Sequence, residues 1–299
     1  MMSDNDGSVT ASSSTASHAF AGTLYHYTDE AGLLGILRSG RLWATDIRYL
    51  NDAEELVYAR REVQEQMLLE ADRLSPGTGF QCSSSTEMRA ATLRSAAEEF
   101  ARKSDDFGVY VNCLSEERDS LSQWRAYGSY AIGFIMTKLA DARPDWDEHD
   151  EDRPRATGPG FQLRRVSYGM DKSARQAIAA AVAGLGGPIG GFPGATGSIR
   201  LHELVFPVLA TIKHPSFADE REWRIVIGEN TNCGPEHFRL GKLGVTPYVE
   251  LVFDQEAVRE VVVGPCTHPT VRVFGVRRLL RHYGYESAQV CATDSPFRG

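Results

Sequence analysis

Apolar residues along this chain recur at two spacings, every second position as in a half-buried strand and every third or fourth as in an amphipathic helix. Leu24–Thr28 reads as a short strand. From Asp29 to Ser39 the pattern is helical, with Leu33, Leu34, Ile36 and Leu37 apolar, Thr28 as N-cap and Gly40 as stop. A strand at Leu42–Thr45 leads to Asn51-Asp52-Ala53-Glu54-Glu55, where Asp52 and Glu55 fit a capping box opening a helix to about Leu69. A polar helix follows at about 86–103. Period-two segments at 108–115 and 130–137 flank a short helical connection at 119–128. Further strands are expected at 161–168, 220–228, 248–254, 260–264 and 288–292. Helices are expected at 171–183, 199–212 and, rich in arginine, 269–283. Helices and short strands mix without strict βαβ alternation or internal repeat, which predicts an α+β fold over a doubly wound sheet.

Composition marks out the ends and insertions. Residues 1–22 are Ser/Ala/Thr-rich and are expected to be a disordered tail, leaving 23–299 as a single domain. Residues 141–155 hold seven acidic and three basic side chains, so about 141–160 reads as a surface insertion. The Gly-rich stretch 184–197 is a second. Its spacing fails the dinucleotide fingerprint because Ile189 interrupts it, and a helix rather than a strand comes before it.

The 299 residues are 42% hydrophobic and 24% charged, an ordinary globular composition, with a formal net charge of −8. Such a chain is a poor candidate for indiscriminate coating of nucleic acid or anionic membrane. No apolar run reaches the roughly 18 residues of a membrane span, and the acidic amino terminus lacks the form of a secretory signal. The five cysteines are scattered, without a C-x-x-C, and read as reduced thiols in a cytoplasmic protein rather than a disulfide frame or metal site.

The richest stretch is Glu220-Arg221-Glu222-Trp223-Arg224-Ile225-Val226-Ile227. As one strand it places Trp223, Ile225 and Ile227 on a buried face, and Glu220, Glu222 and Arg224 on the other. Two carboxylates would then stand about 7 Å apart, at twice the strand rise. That suits a pair facing a cleft, and it equally suits a solvated face of ion pairs. In the first strand, Tyr25 and Tyr27 share one face, while His26 and Thr28 share the other, where they can hydrogen-bond a ribose or a backbone carbonyl. Trp124 and Tyr127 fall beside the strong strand at 130–137 and are placed either to stack on a flat ring or to fill the core. Arg125 suits a pyrophosphate, and Arg48 follows the second strand toward the same cleft with Asn51 and Asp52. The arginines of the last helix (Arg272, Arg277, Arg278, Arg281) form a solvated face or a phosphate-contacting patch. Serines 115 and 120 lack a G-x-S-x-G setting, which argues against a serine hydrolase.

LYHYTDEAGLLGIL, LWATDIRYLNDAEEL, VNCLSEERDSLSQWRAYG, FADEREWRIV, VVVGP and SPFRG together resemble the marker blocks of a bacterial family of unknown function, over essentially residues 23–299. The order of elements is also similar to the ADP-ribosyltransferase superfamily. That resemblance implies split mixed sheets with flanking helices and NAD as substrate. It gives His26 the adenosine-side contact with Thr28 assisting and Tyr27 beside them, Tyr127 or Trp124 the nicotinamide stack, Glu222 the catalytic role and Glu220 the second carboxylate. The middle block here is Trp-x-x-Tyr, where the superfamily carries Ser-Thr-Ser or a single tyrosine.

The resemblance implies an intracellular ADP-ribosyltransferase acting on a protein or nucleic acid, as a toxin or phage-defence effector would. An NAD glycohydrolase shares its first step, and a non-catalytic nucleotide-binding or sensor module shares its fold. A nuclease fits less well, since no compact Asp/Glu/Lys cluster is visible to hold a metal.

Overall fold

A computed structural model describes residues 20–50, 53–75, 84–102, 108–144, 161–185, 204–228, 235–241 and 243–295. Thirteen strands and the helices around them are placed in these segments, mixing helix and strand as expected. The strands are β1 (Thr23–Thr28), β2 (Arg41–Asp46), β3 (Val109–Ser115), β4 (Tyr130–Ile135), β5 (Arg143–Pro144), β6 (Gln162–Arg165), β7 (Ser167–Tyr168), β8 (Ile212–Lys213), β9 (Glu222–Gly228), β10 (His237–Gly241), β11 (Gly244–Val252), β12 (Val258–Val263) and β13 (Gln289–Ala292). Eleven of them form one mixed sheet, in the order β10-β11-β2-β3-β1-β4-β12-β13, with β9 and then β6 branching from β3 and β5 from β11. Its pairings are antiparallel except β12 with β13; β7 and β8 make a separate parallel pair.

β3 is the branching point. It pairs along its whole length with β9, from Val109↔Gly228 to Ser115↔Glu222. On its other edge it meets β2 only at Thr45↔Val111 and Asp46↔Tyr110, and β1 only at Tyr25↔Ser115. Between those contacts β1 and β2 diverge, and residues 112–114 face an opening. Buried backbone groups seek partners wherever a ladder ends, and here side chains supply them. Asn112 Nδ2 donates to the Trp43 carbonyl at 2.9 Å, and His26 Nδ1 lies 3.0 Å from the Cys113 carbonyl.

Two apolar layers enclose the sheet. One gathers Leu24, Ile132, Phe134, Val249, Leu251, Val261 and Ile225 under α1 (Glu30–Ser39) and the C-terminal helix Pro269–His282, through Leu33, Leu37, Val276 and Leu280. The other packs α2 (Ala53–Leu74), α3 (Ser84–Arg102) and α6 (Lys172–Leu185) against Val109, Val111 and Val226. α4 (Leu121–Tyr127) and the turn α5 (Met136–Leu139) flank β4. A smaller cluster of Tyr25, Tyr27, Trp124, Ala131 and Val262 lies by α4.

Several boundaries move. The N-cap of α1 is Asp29, whose Oδ1 accepts from Gly32 N at 2.8 Å, not Thr28; Gly40 ends the helix as expected, at φ 65°. An Asp side chain reaches an N-terminal amide as readily as Thr does, and Thr28 is held in β1. The segment 130–137 stops as a strand at Ile135 and turns into α5. The expected strand 161–168 breaks at Val166 into β6 and β7, which pair with different partners. Of the helix expected at 199–212, its described part is helical only around Phe206–Leu209, before β8. The β10–β11 hairpin lengthens the strand expected at 248–254 and adds one unforeseen. Phe20, assigned to the tail, packs on Trp223 with ring centroids 5.0 Å apart, while residues 1–19 lie outside the described segments. So do Asn51 and Asp52, most of the 141–160 insertion and the Gly-rich stretch beyond Leu185.

Candidate functional site

The divergence of β1 from β2 opens a cavity of about 510 Å³, within the range of small-molecule sites. Its walls are β1 (Tyr25–Thr28), the first turns of α1, β2 through Trp43 and Thr45, β3 from Val111 to Ser115, α4 through Gln123 and Tyr127, and the segment holding Glu220 and Glu222. Arg239 reaches it from β10.

Glu220 is not in the strand. It closes a 3₁₀ turn, Pro215–Glu220, and β9 starts at Glu222. Between them Arg221 stands at φ 43°, the left-handed region that side chains other than glycine rarely adopt. This turn brings both carboxylates to one cation, with Lys213 Nζ 2.7 Å from Glu220 Oε2 and 2.9 Å from Glu222 Oε2. The pair is therefore bridged rather than spaced along a strand edge. Neither is the face solvated: every residue of β9 is buried, because β3 and β6 cover both its edges and packed side chains both its faces.

Glu222 is 4% exposed and Arg224 is 2% exposed. Arg224 Nε donates to Glu222 Oε1 at 2.7 Å and its Nη1 to the Ala210 carbonyl at 2.8 Å. Burial works to raise the Glu222 pKa, but the charges of Arg224 and Lys213, with hydrogen bonds from Arg224 and the Cys113 thiol, outweigh it and hold the carboxyl at about 2. Glu222 is thus an ionised, immobile carboxylate at neutral pH. Burial and the neighbouring Glu222 push the Cys113 thiol well above its usual value, so it stays protonated. The Tyr168 hydroxyl accepts from Glu222 N at 2.7 Å.

His26 and Thr28 line the cavity from β1. Because the Cys113 carbonyl only accepts, Nδ1 of His26 carries the proton and leaves Nε2 as the acceptor. Desolvation lowers the His26 pKa against the opposing pull of that hydrogen bond, keeping the ring neutral. Tyr127 is 38% exposed and faces the cavity. Trp124 does not: it packs edge-on to Tyr27 at 4.6 Å, donates Nε1 to Asp119 at 2.8 Å and belongs to the core. Of the two aromatic candidates, Tyr127 is the one brought to the cavity. Tyr27 lines it too, though its hydroxyl is committed to the Glu117 carbonyl at 2.6 Å. Arg48 is bound to Asp46 and lies outside the lining, as does the exposed Arg125. The last helix uses Arg272 on Glu30 at 3.1 Å and Arg277 on the Val290 carbonyl, so two of its arginines serve structure.

The sequence blocks are one another's contacts. Ser115 Oγ donates to the Glu220 carbonyl at 2.6 Å, and Trp223 Nε1 to Glu116 at 2.7 Å. Arg118 grips Glu260, which also accepts from Tyr25. Asp119 collects Trp124 Nε1, the hydroxyls of Thr293 and Ser295 and the amide of Asp294. Sequence reasoning missed Lys213, Asn112, Cys113, Gln123, Trp43 and Arg239. Only Lys213 carried a readable signal, a lone charge ending the apolar run Val205–Ile212.

No family model, curated protein or solved structure matches this chain.

Proposed function

We infer that the cavity binds NAD and that the protein cleaves its nicotinamide–ribose bond, passing ADP-ribose to an intracellular protein or nucleic acid. The observation that carries this reading is convergence. His26, Thr28, Tyr127, Glu220 and Glu222 come from three separate sequence blocks and line one cavity. The branched sheet around β3 accords with the split sheets of the ADP-ribosyltransferase superfamily, and the order of sequence blocks supports the same kinship.

The chemistry follows from the charges. Breaking the bond sends its electron pair to the departing nicotinamide and leaves oxocarbenium character on the ribose. An ionised carboxylate fixed in a water-poor site stabilises that positive charge without reorganising. Glu222 meets this requirement, held charged by Lys213 and Arg224. Glu220, beside it and less deeply buried, is the carboxylate placed to take the proton from the incoming nucleophile. Neutral His26 offers Nε2 to a ribose hydroxyl, and the Tyr127 ring offers a face to the pyridine. A toxin or phage-defence role extends this reading by analogy.

The test is nicotinamide release from NAD by the purified protein, with and without cell lysate. Glu222→Gln is expected to abolish release while circular dichroism at the assay temperature still shows a folded protein. Its melting midpoint is expected to be lower, because Arg224 and Lys213 lose a carboxylate. Tyr127→Ala, at an exposed position, is expected to raise KM. Release that needs lysate and leaves labelled ADP-ribose on a macromolecule establishes transfer; release without lysate establishes the glycohydrolase instead. NAD binding without release under either condition establishes a sensor module. Undiminished release by Glu222→Gln overturns the mechanism.

A further inference from the structure

At the β2 end of the cavity two buried polar atoms of opposite hydrogen-bonding sense have no partner among the described residues: Asn112 Oδ1 and Arg239 Nε. Asn112 is 3% exposed. Its amide orientation is determined chemically, because the Trp43 carbonyl takes the Nδ2 side and so presents Oδ1 as a bare acceptor. Arg239 is anchored by a second nitrogen, Nη2, on Thr45 Oγ1 at 3.1 Å, which leaves Nε–H as a directed donor. Buried polar groups are paired in native proteins with few exceptions, and an exception inside a cavity points to a group that a ligand satisfies.

The same end carries an aromatic platform. Trp43 lines the cavity, lies beneath the Arg239 guanidinium at 5.8 Å and packs on Tyr248 at 4.5 Å. Its indole nitrogen donates to Glu250 at 2.9 Å, which fixes the ring's orientation.

Resting on the NAD reading, we propose that Asn112, Arg239 and Trp43 form a subsite for the flat, amide-like edge of one ring of the ligand. Asn112 Oδ1 takes an N–H from that edge, Arg239 Nε–H meets the acceptor beside it, and Trp43 borders the ring. An adenine edge (amino group beside ring nitrogen) and a nicotinamide carboxamide both carry this pair. A phosphate carries no N–H and leaves Asn112 unsatisfied, so this subsite selects a ring and not the diphosphate.

Calorimetric titration with NAD, AMP and nicotinamide tests it. Arg239 lies half-buried on the edge strand β10, where substitution spares the core. Arg239→Met and Arg239→Lys are each expected to weaken NAD about tenfold, the worth of one well-placed hydrogen bond. The lysine variant matters because it keeps the charge and loses the directed Nε–H. Asn112→Ala is expected to weaken the same ligand by a similar factor with its unfolding midpoint recorded alongside. Loss confined to AMP assigns the subsite to adenine, and loss confined to nicotinamide assigns it to the carboxamide. Arg239→Lys binding as wild type reduces Arg239 to a plain charge and overturns the proposal, as does NAD binding unchanged by all three variants, with the NAD reading intact. Wild-type protein that binds none of the three ligands overturns the NAD reading, and this subsite with it.

Discussion

Replacing Lys213 by Met asks whether the buried charge cluster is held together as the structure indicates. Lys213 is 2% exposed and serves both Glu220 and Glu222. Met matches its length and its tolerance of apolar surroundings, so packing loss is small. What remains is Glu222 held by Arg224 and the Cys113 thiol, and Glu220 deprived of its contact with Lys213 in the same cluster. Removing one partner of a buried ion pair costs about 3–5 kcal/mol, because the stranded charge keeps its desolvation penalty. For a chain of this size each kcal/mol lowers Tm by roughly 2–4 °C, so the expected fall is on the order of 10 °C at pH 7. The pH dependence gives a second readout. Folded Glu222 has its pKa lowered from 4.5 to about 2, so the unfolded chain binds the proton more readily. Its stabilisation is therefore complete above pH 4.5 and is lost as pH falls through about 2. Without Lys213 the folded pKa rises toward 4.5, so this acid loss is smaller and is complete at a higher pH. Calorimetric melting between pH 3 and 8 measures both effects. Adding Glu220→Gln to Lys213→Met should recover part of the lost stability, since it removes the carboxylate that lost Lys213 while Glu222 keeps Arg224. A Lys213→Met midpoint within 2 °C of wild type at pH 7, or a double variant worse than the sum of the singles, refutes this account.

Three other substitutions test the frame around the sheet. Gly128 stands at φ 131°, and a Cβ there would lie 2.5 Å from the Thr28 carbonyl oxygen. Gly128→Ala is expected to cost more than the ~1–3 kcal/mol of the backbone strain alone, read from urea midpoints. Gly275→Ala, within the last helix and with nothing inside 4 Å of its Cβ, should instead stabilise by up to about 1 kcal/mol. Asp119→Ala removes one acceptor from four donors, three of them in Thr293–Ser295. It is expected to cost about 2 kcal/mol and to raise hydrogen exchange at the Asp294 amide, while exchange in β9 stays slow. Unchanged protection at Asp294 would show that the C-terminal segment is held by something else.

Local periodicity and caps made much of the secondary structure legible: the α1 stop at Gly40, β3, most of β9, and the last helix and strand. Where it erred, long-range contact decided. β6 and β7 split because one pairs with β9 and the other with β8, and β10 exists only as partner to β11. Nothing in the spacing of residues 161–168 or 235–241 encodes those partners. The alternation in Leu24–Thr28 sorted Tyr25 and Tyr27 from Leu24, His26 and Thr28, since strand geometry dictates faces locally. It left open whether a face meets solvent, core or cleft.

The site divides the same way. Residue types in the sequence were enough to single out Glu220, Glu222, His26, Thr28 and Tyr127, because carboxylates, a histidine and an aromatic flanking strands are chemically distinctive. Only the tertiary structure separated Tyr127 from Trp124, since Tyr27 and Asp119 engage Trp124 in the core while Tyr127, three residues on, borders the cavity. Only it supplied Lys213, whose Nζ reaches across from β8 to make two carboxylates one cluster. The same holds for Asn112 and Arg239, which line one cavity because β1 and β2 diverge along β3 and β10 folds back on β11. Side-chain chemistry is written residue by residue, whereas a protonation state or a missing hydrogen-bond partner depends on groups distant in the chain that folding alone brings within a few ångströms.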